Sequence, residues 1–447
     1  MSVVLVLGAE TMLARVVSRS LHRAGFTVLA ASSTPWPICA YSRYVRRTFT
    51  HADPKHDESR FIDDIRRICE TQGVDVLLPI LRECAVIARH RHLFGPGVRM
   101  LLGDAATLAD FGDKYRTYEV ARDAGLAVPE YRRAVDLAAD PAALAAFPCP
   151  CLAKPVWGWG GYGMHECASP QEVAARITAM TDRQREDYFM QQRMPGDVVC
   201  VAMLCEAGQM HACDTFRIVA SYPRRHGQST LRESVRADAA VDALRTLLAH
   251  VGWTGPCQAD FIIDPVTGTP YLIDINARYW NSLIQSTARG VDFPVMHCRM
   301  ALGMGDAGDA GGAGDVPGTG AAGVSSGVSP GVSPGVSSGV SRGVPPSVPD
   351  GAPDMSAGLC ADMDTGVSTA WFSRALRGDP ALLLRRLFSR PQGQAVRGIA
   401  AFDDWDVRDP LPFFAWPLRH LLGRIASRVA PHHYATDGTG RGEACRS

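Results

Sequence analysis

A lysine that stands directly before a glycine-rich stretch could hold phosphate groups. Lys154 lies in the apolar run 151–155, which predicts a strand leading into the glycines. Backbone N–H groups of such a loop can surround phosphate oxygens, and the adjacent ammonium adds positive charge. The alternative is an ordinary glycine-rich turn beside a surface lysine. The glycines of this loop are Gly158, Gly160, Gly161 and Gly163.

The same glycines satisfy the spacing G-x-G-x-x-G, but their surroundings disfavour the two folds that often carry it. A dinucleotide-binding fold has this loop after its first strand, where this sequence reads Gly8-Ala9-Glu10-Thr11. A protein kinase has its lysine after the loop and an HRD segment, whereas Lys154 precedes the loop and no HRD occurs. An NAD-dependent oxidoreductase is therefore a poor interpretation of this spacing.

A second group of polar residues is spaced so that its members can meet across a hairpin. The turn-like residues 264–270 separate two strand-like segments, which places Asp260 and Asp274 on opposite strands. Asp274, Asn276 and Arg278 alternate with apolar residues and therefore share one face. Two carboxylates and an amide oxygen are suitable ligands for Mg²⁺. The alternative is a surface hairpin whose polar residues face the solvent.

The elements that would position these groups divide the chain into domains. Strand and helix patterns alternate up to residue 105, and near-continuous apolar strands indicate a parallel sheet. Residues 1–105 are therefore predicted to form a Rossmann-like α/β domain, and residues 106–304 an α+β domain without that alternation. The predicted N-terminal strands are 3–7, 26–31, 74–81 and 98–102, and the predicted helices are 13–24 and 61–72.

The C-terminal third differs in composition from the rest. Residues 305–366 are mostly Gly, Ala, Ser, Pro, Val and Asp, with a four-residue GVSP-like repeat from Gly323, which predicts a flexible linker. Residues 367–434 are predicted to be a helical segment with helices at 380–388 and 418–429, and 435–447 a tail. The second helix is amphipathic and basic, but one short helix with few basic residues binds membranes weakly, so we expect it to dock on the main body. The alternative is weak peripheral contact with a membrane.

Composition narrows the class of protein. The 46 basic and 46 acidic residues cancel, which gives no support for a nucleic-acid partner. The 13 cysteines include no CxxC pair, and a reducing cytoplasm suits so many unpaired thiols. No basic residue precedes the apolar residues 3–7, and no apolar run approaches the ~18 residues needed to cross a bilayer. We therefore expect a cytoplasmic protein, whose oligomeric state the sequence leaves open.

The order of these motifs resembles the ATP-grasp superfamily, most closely its branch similar to the carbamoyl-phosphate synthase large chain. The resemblance covers residues 1 to about 300. It implies a pre-ATP-grasp α/β domain followed by an ATP-grasp domain. It rests on Asp113-Lys114 opening a helix, Gly125-Leu126-Ala127-Val128-Pro129, Lys154-Pro155 with its glycine loop, the segment Gln191 to Asp197, and the spacing of Asp260, Asp274, Asn276 and Arg278.

The resemblance also implies roles for single residues. Lys114, Lys154 and the glycine loop would contact the phosphates of ATP. Gln191 and Gln192 would lie at the adenine, and Asp197 at the ribose. The implied Mg²⁺ ligands are Asp260, Asp274 and Asn276; the implied catalytic residues are Arg278, which would steady the transferred phosphoryl group, and Lys154. A run similar to the family's substrate-side loop supplies Arg224, Arg225, Ser229 and Thr230 as substrate-binding residues. By analogy, the N-terminal domain would complete the carboxylate pocket near Gly8 and Glu83.

The reaction implied is the activation of a carboxylate as an acylphosphate, which an amine then attacks to form a C–N bond. The partners would be a small-molecule carboxylate and an amine, and the cofactors ATP and Mg²⁺. Three positions depart from the family pattern, namely Gln192 for a hinge glutamate, aspartate at both acidic metal positions, and Tyr162 where a lysine often stands. Two alternatives stay open: bicarbonate activation, as in carbamoyl-phosphate synthase or biotin carboxylase, and an ATP-binding module without turnover.

Overall fold

The computed structural model describes residues 1–158, 161–222, 227–304, 368–370, 374, 379, 381–383, 399–403, 406 and 408–412. The repeat-rich segment 305–366, the predicted helix 418–429 and the tail 435–447 lie outside these residues. None of the described helices is both long enough and apolar enough to span a bilayer. Every cysteine in the described part is a free thiol.

The N-terminal domain is a parallel four-stranded sheet with helices, as predicted. Its strand order is β3-β2-β1-β4, and β1 pairs in parallel with both β2 and β4. The strands β1 and β4 are almost wholly buried, which explains their continuous apolar sequences. The elements are β1 Val3–Leu7, α1 Met12–Arg23, β2 Thr27–Ser32, β3 Arg47–Thr50, α2 Glu58–Gln72, β4 Val76–Leu78 and α3 Glu83–Arg89.

One strand prediction in this domain was wrong, and one strand was not predicted. Residues 98–102 form no strand, because only Arg99 makes a single parallel bridge to Val76. Residues 47–50 form the edge strand β3, although their sequence, Arg-Thr-Phe-Thr, is largely polar. An edge strand is half exposed and therefore needs no continuous apolar run, so its pattern resembles that of a loop.

The second domain consists of two sheets with helices. The smaller sheet is antiparallel, in the order β5-β8-β6-β7, and the larger has the order β13-β12-β9-β10-β11-β14-β15. The elements are α4 Ala105–Gly112, α5 Lys114–Asp123, β5 Tyr131–Arg133, α6 Ala134–Ala139, α7 Pro141–Ala146, β6 Cys151–Pro155, β7 His165–Cys167, α8 Pro170–Thr178, α9 Asp182–Asp187, β8 Tyr188–Gln192, β9 Val198–Glu206, β10 Gln209–Tyr222, β11 Gln228–Ser234, α10 Asp238–His250, β12 Gly255–Ile263, β13 Pro270–Asn276, α11 Leu283–Ala288 and α12 Phe293–Ala301.

The last two strands of the large sheet come from the segment expected to be helical. β14 Ser368–Ala370 pairs with β11, and β15 Ile399–Phe402 lies beside β14 at the edge of the sheet. Of that segment's described residues, 374, 381–383 and 411–412 are helical. The expectation of helix alone was wrong because these short strands depend on a partner strand that lies far away in sequence.

The two domains share a continuous core. One apolar cluster joins Val4 and Val6 of β1 with Phe216 of β10 and with Trp280 and Phe293. The smaller sheet has its own core, which includes Cys151 and Met190. The small sheet and the hairpin β12–β13 meet where side chains of α5 and β6 reach the backbone of β13, and this junction positions the candidate site.

Candidate functional site

Helix α5 begins at the junction of the two sheets and presents Lys114 there. Asp113 caps the helix, because its Oδ1 accepts hydrogen bonds from the N–H groups of Tyr115 at 2.8 Å and Arg116 at 2.9 Å. The N–H of Lys114 donates to the carbonyl oxygen of Val156 at 3.1 Å. This bond ties the start of the helix to the residue that precedes the glycine loop.

Lys154 points from β6 into the same junction and is buried. Its Nζ donates to Oε1 of Gln191 at 2.7 Å and to the carbonyl oxygen of Ile273 at 3.1 Å. The hydroxyl of Tyr118 lies within hydrogen-bond distance of the same two acceptors, at 2.6 Å and 2.9 Å, and its single hydrogen is shared between them. Lys154 is therefore held between the small sheet and the hairpin. Its ammonium binds the backbone of Ile273, which directly precedes Asp274.

The surroundings of Lys154 favour its neutral form more than water does. Burial is the main cause and nearby Lys114 adds to it, so the pKa of Lys154 falls to about 8, although Asp274 and Asp260 oppose the change. A lysine in this state gains its full charge when an anion arrives. Phosphate oxygens would provide that partner.

The hairpin brings the predicted carboxylates together as the turn spacing required. Asp260 of β12 and Asp274 of β13 are direct cross-strand partners, and so are Gln258 and Asn276. Asn276 Nδ2 donates to Gln258 Oε1 at 2.9 Å, and Gln258 Nε2 in turn donates to Asp260 Oδ1. Cys200 of β9 also donates to Asp260 Oδ1, at 3.0 Å. One face of the hairpin thus carries two carboxylates and two amides.

The pKa values of the two carboxylates shift in opposite directions. Burial and the nearby charge of Asp274 together raise the pKa of Asp260 to about 6. Burial alone would raise the pKa of Asp274 as well, but Lys114, which forms an ion pair with it, and Lys154 outweigh burial and lower it. A divalent cation between the two carboxylates would stabilise the ionised form of both.

The donor set suits Mg²⁺ only if a substrate completes the coordination. In the described part of the chain, no cluster of three or more His, Cys, Asp or Glu residues could hold a metal ion. Two carboxylates and an amide oxygen are a partial shell. Mg²⁺ is typically held by one or two carboxylates together with water and substrate phosphates, so the residues present fit a Mg²⁺ that arrives with a nucleotide.

Arg278 follows the hairpin and lies close to the N-terminal domain. Its Nη1 donates to the carbonyl oxygen of Tyr279 at 2.8 Å. Burial lowers its pKa, while Cys84, Asp274 and Glu83 oppose that shift. The Glu83 carboxylate accepts hydrogen bonds from the N–H groups of Ile80 and Leu81, both at 3.1 Å.

Gly8 and Glu83 are neighbours at the carboxyl ends of β1 and β4. A Cβ atom on Gly8 would lie 3.5 Å from Glu83 Oε1. The sheet order β3-β2-β1-β4 makes the space between β1 and β4 the point where the chain changes direction across the sheet. Ligands of parallel α/β sheets bind at such points, and Arg278 of the second domain lies near enough for the charge of Glu83 to act on its pKa.

The glycine loop connects β6 to β7. Gly161 and Gly163 have φ angles of 75° and 74°, which L side chains rarely adopt. A Cβ on Gly163 would also lie 2.8 Å from the hydroxyl of Tyr188. Gly158 precedes this turn, and Gly160 lies outside the described residues.

The remaining predicted residues are spread more widely. The side chain of Gln191 is buried against Lys154, Oε1 of Gln192 accepts from the N–H of Glu130 at 3.4 Å, and Asp197 is exposed beyond β8. Ser229 and Thr230 lie on β11, three strands from β12 and so about 14 Å away across the sheet. Arg224 and Arg225 lie outside the described residues.

Sequence reasoning missed two residues of the site, Gln258 and Tyr118. Gln258 lies two positions before Asp260, and a register that pairs Asp260 with Asp274 necessarily pairs Gln258 with Asn276. Tyr118 lies four residues after Lys114 and therefore on the same face of α5. Both signals were present in the sequence.

The lowered pKa of Lys154 predicts a pH dependence for ATP binding. The ammonium form binds phosphate, so affinity is expected to be highest below about pH 8 and to fall up to about tenfold per pH unit above it. The measurement is the dissociation constant of Mg·ATP between about pH 7 and about pH 9.5. The variant Lys154→Arg, whose side chain stays charged, should show a flat profile. A flat profile in the unmodified protein would contradict the assignment.

One family model matches part of the chain. Residues 111–282 match the family model described as the ATP-grasp domain. No curated protein gives a significant sequence match.

Solved structures resemble the chain over about two thirds of its length. The biotin carboxylase domain of Hydrogenobacter thermophilus 2-oxoglutarate carboxylase, in complex with MgADP, ADP and bicarbonate, has a TM-score of 0.54, 18% identity and coverage of 68% of this chain and 70% of that chain. The L-amino acid ligase from Bacillus licheniformis has a TM-score of 0.54 and 16% identity, with coverage of 68% of this chain and 74% of that chain. Staphylococcus aureus N5-carboxyaminoimidazole synthetase complexed with ADP has a TM-score of 0.51 and 12% identity, with coverage of 66% of this chain and 76% of that chain. At these identities the likeness shows the fold.

Proposed function

Because residues 111–282 form an ATP-grasp domain, we propose that this protein is an ATP- and Mg²⁺-dependent ligase that joins a carboxylate to an amine. The observation that carries the proposal is the convergence of two lysines on a pair of carboxylates. Lys114 forms an ion pair with Asp274, and Asp274 pairs with Asp260 across the hairpin. Lys154 binds the carbonyl oxygen of Ile273, the residue before Asp274. Cations for phosphate and carboxylates for a metal thus lie within one junction.

ATP would bind with its phosphates at this junction. Lys114 and Lys154 would hold phosphate oxygens, and the loop containing Gly158, Gly160, Gly161 and Gly163 would cover them with backbone N–H groups. The adenine would lie against the end of β8 at Gln191 and Gln192. The side chain of Gln191 binds Lys154, and the N–H of Gln192 donates to the carbonyl oxygen of Glu130, so the Nε2 amide of Gln192 is the group that we assign to the base. Asp197, exposed just beyond β8, would bind the ribose.

Mg²⁺ would be held by Asp260, Asp274 and Asn276. Asn276 donates through Nδ2 to Gln258, so its Oδ1 is the atom that would face the cation. Gln258 would position both Asn276 and Asp260 by its two hydrogen bonds. When bound, Mg²⁺ offsets negative charge on the phosphates during transfer. Lys114 would then exchange its contact with Asp274 for a phosphate oxygen.

The reaction would take place in two steps. An oxygen of the substrate carboxylate attacks the γ-phosphorus of ATP, the bond to the β-phosphate oxygen breaks, and ADP leaves. The amine nitrogen then attacks the acyl carbon, the C–O bond to the phosphoryl group breaks, and inorganic phosphate leaves as the nitrogen loses a proton. Arg278 would stabilise the acylphosphate through its guanidinium. No nucleophilic side chain is required.

The carboxylate would lie between the two domains. Arg278 faces the neighbouring residues Gly8 and Glu83 of the N-terminal domain, so this space is where we place the acyl group. Ser229 and Thr230, together with Arg224 and Arg225, would bind the more distant part of the substrate. Bicarbonate is a second candidate for the acyl group, because the fold is similar to a biotin carboxylase domain whose structure contains bicarbonate.

The test is to incubate the protein with ATP and Mg²⁺ and with separate pools of amino acids, other carboxylates and bicarbonate. Release of ADP and phosphate is measured with and without a pool of amines. We expect one pool to stimulate release, and Asp274→Asn to abolish the stimulation. If ATP binds but no pool stimulates release, the protein is an ATP-binding module without turnover and the ligase proposal is wrong.

A further inference from the structure

The C-terminal segment 399–412 contacts both domains through three aspartates spaced three residues apart. Asp403, Asp406 and Asp409 each bind arginine or hydroxyl groups of residues more than 170 positions earlier in the chain. Their side chains are buried, with exposed fractions of 3%, 7% and 3%. We define the described residues of this segment, 399–403, 406 and 408–412, as the acidic clamp.

Asp403 is bound to both domains at once. Its carboxylate accepts two hydrogen bonds from the guanidinium of Arg232 on β11, one of them at 3.0 Å. Its carbonyl oxygen accepts from Nη2 of Arg15 on α1 at 2.8 Å. Arg232 also donates to the carbonyl oxygen of Ser229 at 3.3 Å. One residue therefore links the N-terminal domain, the large sheet and the backbone beside the proposed substrate residues.

The other two aspartates hold the N-terminal domain. Asp406 Oδ2 accepts from Arg19 at 3.3 Å and from the hydroxyl of Tyr44 at 3.1 Å. Asp409 accepts from the hydroxyl of Ser42 at 2.6 Å and from the N–H of Arg43 at 3.0 Å. The side of the clamp that faces the large sheet is fixed by strand pairing as well, since β15 lies beside β14 and β14 pairs with β11.

These buried ion pairs are stable only while both partners are present. A buried bidentate pair of arginine and carboxylate is geometrically specific, and removing one partner leaves a buried charge without compensation. Salt screens buried pairs much less than exposed ones. The clamp is therefore suited to hold the two domains in one fixed relation at physiological ionic strength.

We propose that the acidic clamp positions the N-terminal domain against the ATP-grasp domain for use of the carboxylate, with Asp403 as the bridging positioning residue. This inference rests on the proposed function, in which the acyl group lies between the two domains. Lys114, Lys154 and the β12–β13 hairpin belong to the ATP-grasp domain alone. The clamp consequently leaves ATP binding unaffected.

The first test asks whether the clamp holds without its covalent connection. A protease recognition sequence is inserted into the repeat at residues 323–346 of the full chain, and the folded protein is cleaved there. The C-terminal fragment is expected to co-elute with the remainder in gel filtration at low and at high salt. It should separate when Asp403→Asn, Asp406→Asn and Asp409→Asn are combined, because the short pairing of β14 with β11 is then the main attachment left. Separation of the unsubstituted fragment would overturn the proposal.

The second test separates positioning from ATP binding. In Asp403→Asn, the affinity for Mg·ATP should stay within about twofold, while phosphate release stimulated by the pools of amino acids and bicarbonate falls about tenfold or more. Combining Asp403→Asn with the substitutions at 406 and 409 should add little, because the loss of either attachment already removes the bridge of ion pairs between the two domains, while their shared core still holds them together. Asp242→Asn, which removes an exposed ion pair with Arg245, is the matched control and should change neither quantity.

The outcomes distinguish this inference from the proposed function. If no pool stimulates the unsubstituted protein, the ligase proposal fails, and the cleavage test still decides whether the clamp holds. If stimulation exists and Asp403→Asn retains it in full, the positioning role is wrong. Should Asp403→Asn fail to fold, Arg232→Lys, which keeps the buried cation but loses the planar fork, gives the same comparison. Asp403→Glu, which retains the charge, should restore part of the stimulation.

Discussion

Replacing Lys154 with alanine is expected to weaken Mg·ATP binding by about 1.5 to 3 kcal/mol, roughly 10- to 150-fold in affinity. The buried ammonium is held by Gln191 and by the backbone at Ile273, in a position fixed by both sheets. A phosphate oxygen there would gain a charge-assisted hydrogen bond that water screens little. Isothermal titration calorimetry of Mg·ATP, alongside a thermal unfolding curve, measures the change.

The chain offers a matched control for that substitution. Only three lysines occur, and Lys55, in a polar stretch of the N-terminal domain, is the one outside the site. Lys55→Ala should leave the affinity unchanged. Lys154→Arg keeps the charge but replaces a compact ammonium with a larger planar group, so we expect an intermediate loss. Unchanged affinity in a folded Lys154→Ala protein would show that the phosphate site lies elsewhere.

Replacing Asp274 with asparagine is expected to abolish Mg²⁺-dependent turnover, lowering it by about 100- to 1,000-fold. The substitution removes a proposed metal ligand and also the partner of Lys114. Because the asparagine side chain has nearly the same shape, the strand pairing with Asp260 should persist. ATP affinity in Mg²⁺ should fall to its value in EDTA, which calorimetry in both buffers will show.

Two further substitutions define the metal assignment. Asp260→Asn should behave like Asp274→Asn, since both carboxylates face the same space. Asp264→Asn is the matched control, because Asp264 caps the turn of the same hairpin from an exposed position. An asparagine can make the same turn bonds, so ATP affinity and turnover should not change. If Asp260→Asn and Asp274→Asn both keep the full effect of Mg²⁺, the hairpin does not hold the metal.

The sequence contained enough information to predict those parts of the fold that depend on local patterns. The buried strands β1 and β4 have continuous apolar runs, β6 is apolar apart from Lys154, and Asp113 marks the start of α5 through its capping side chain. The turn at residues 264–270 sets the register that brings Asp260 opposite Asp274. The same register, with the two-residue period of a strand, places Gln258 opposite Asn276, so the position of Gln258 can be predicted from the cross-strand pairing.

The parts that could not be predicted depend on contacts between distant residues. β3 is an edge strand whose polar sequence carries no local signal, and β14 and β15 form only because β11 offers an edge to pair with. The pair of Arg232 and Asp403 joins residues 171 positions apart. Propensity and periodicity describe neighbours along the chain, so an ion pair of this kind is visible only in the folded structure.

The route taken by the carboxylate oxygen tests the central claim most directly. If the carboxylate attacks the γ-phosphorus and the amine later displaces phosphate, one oxygen of the carboxylate must leave in the phosphate. The stimulating carboxylate is therefore labelled with ¹⁸O, the reaction is run with ATP, Mg²⁺ and amine, and the released phosphate is analysed by mass spectrometry. The account predicts one ¹⁸O atom in each phosphate released. Release of ADP together with unlabelled phosphate would mean that water attacks ATP, and would contradict a ligase that acts through an acylphosphate.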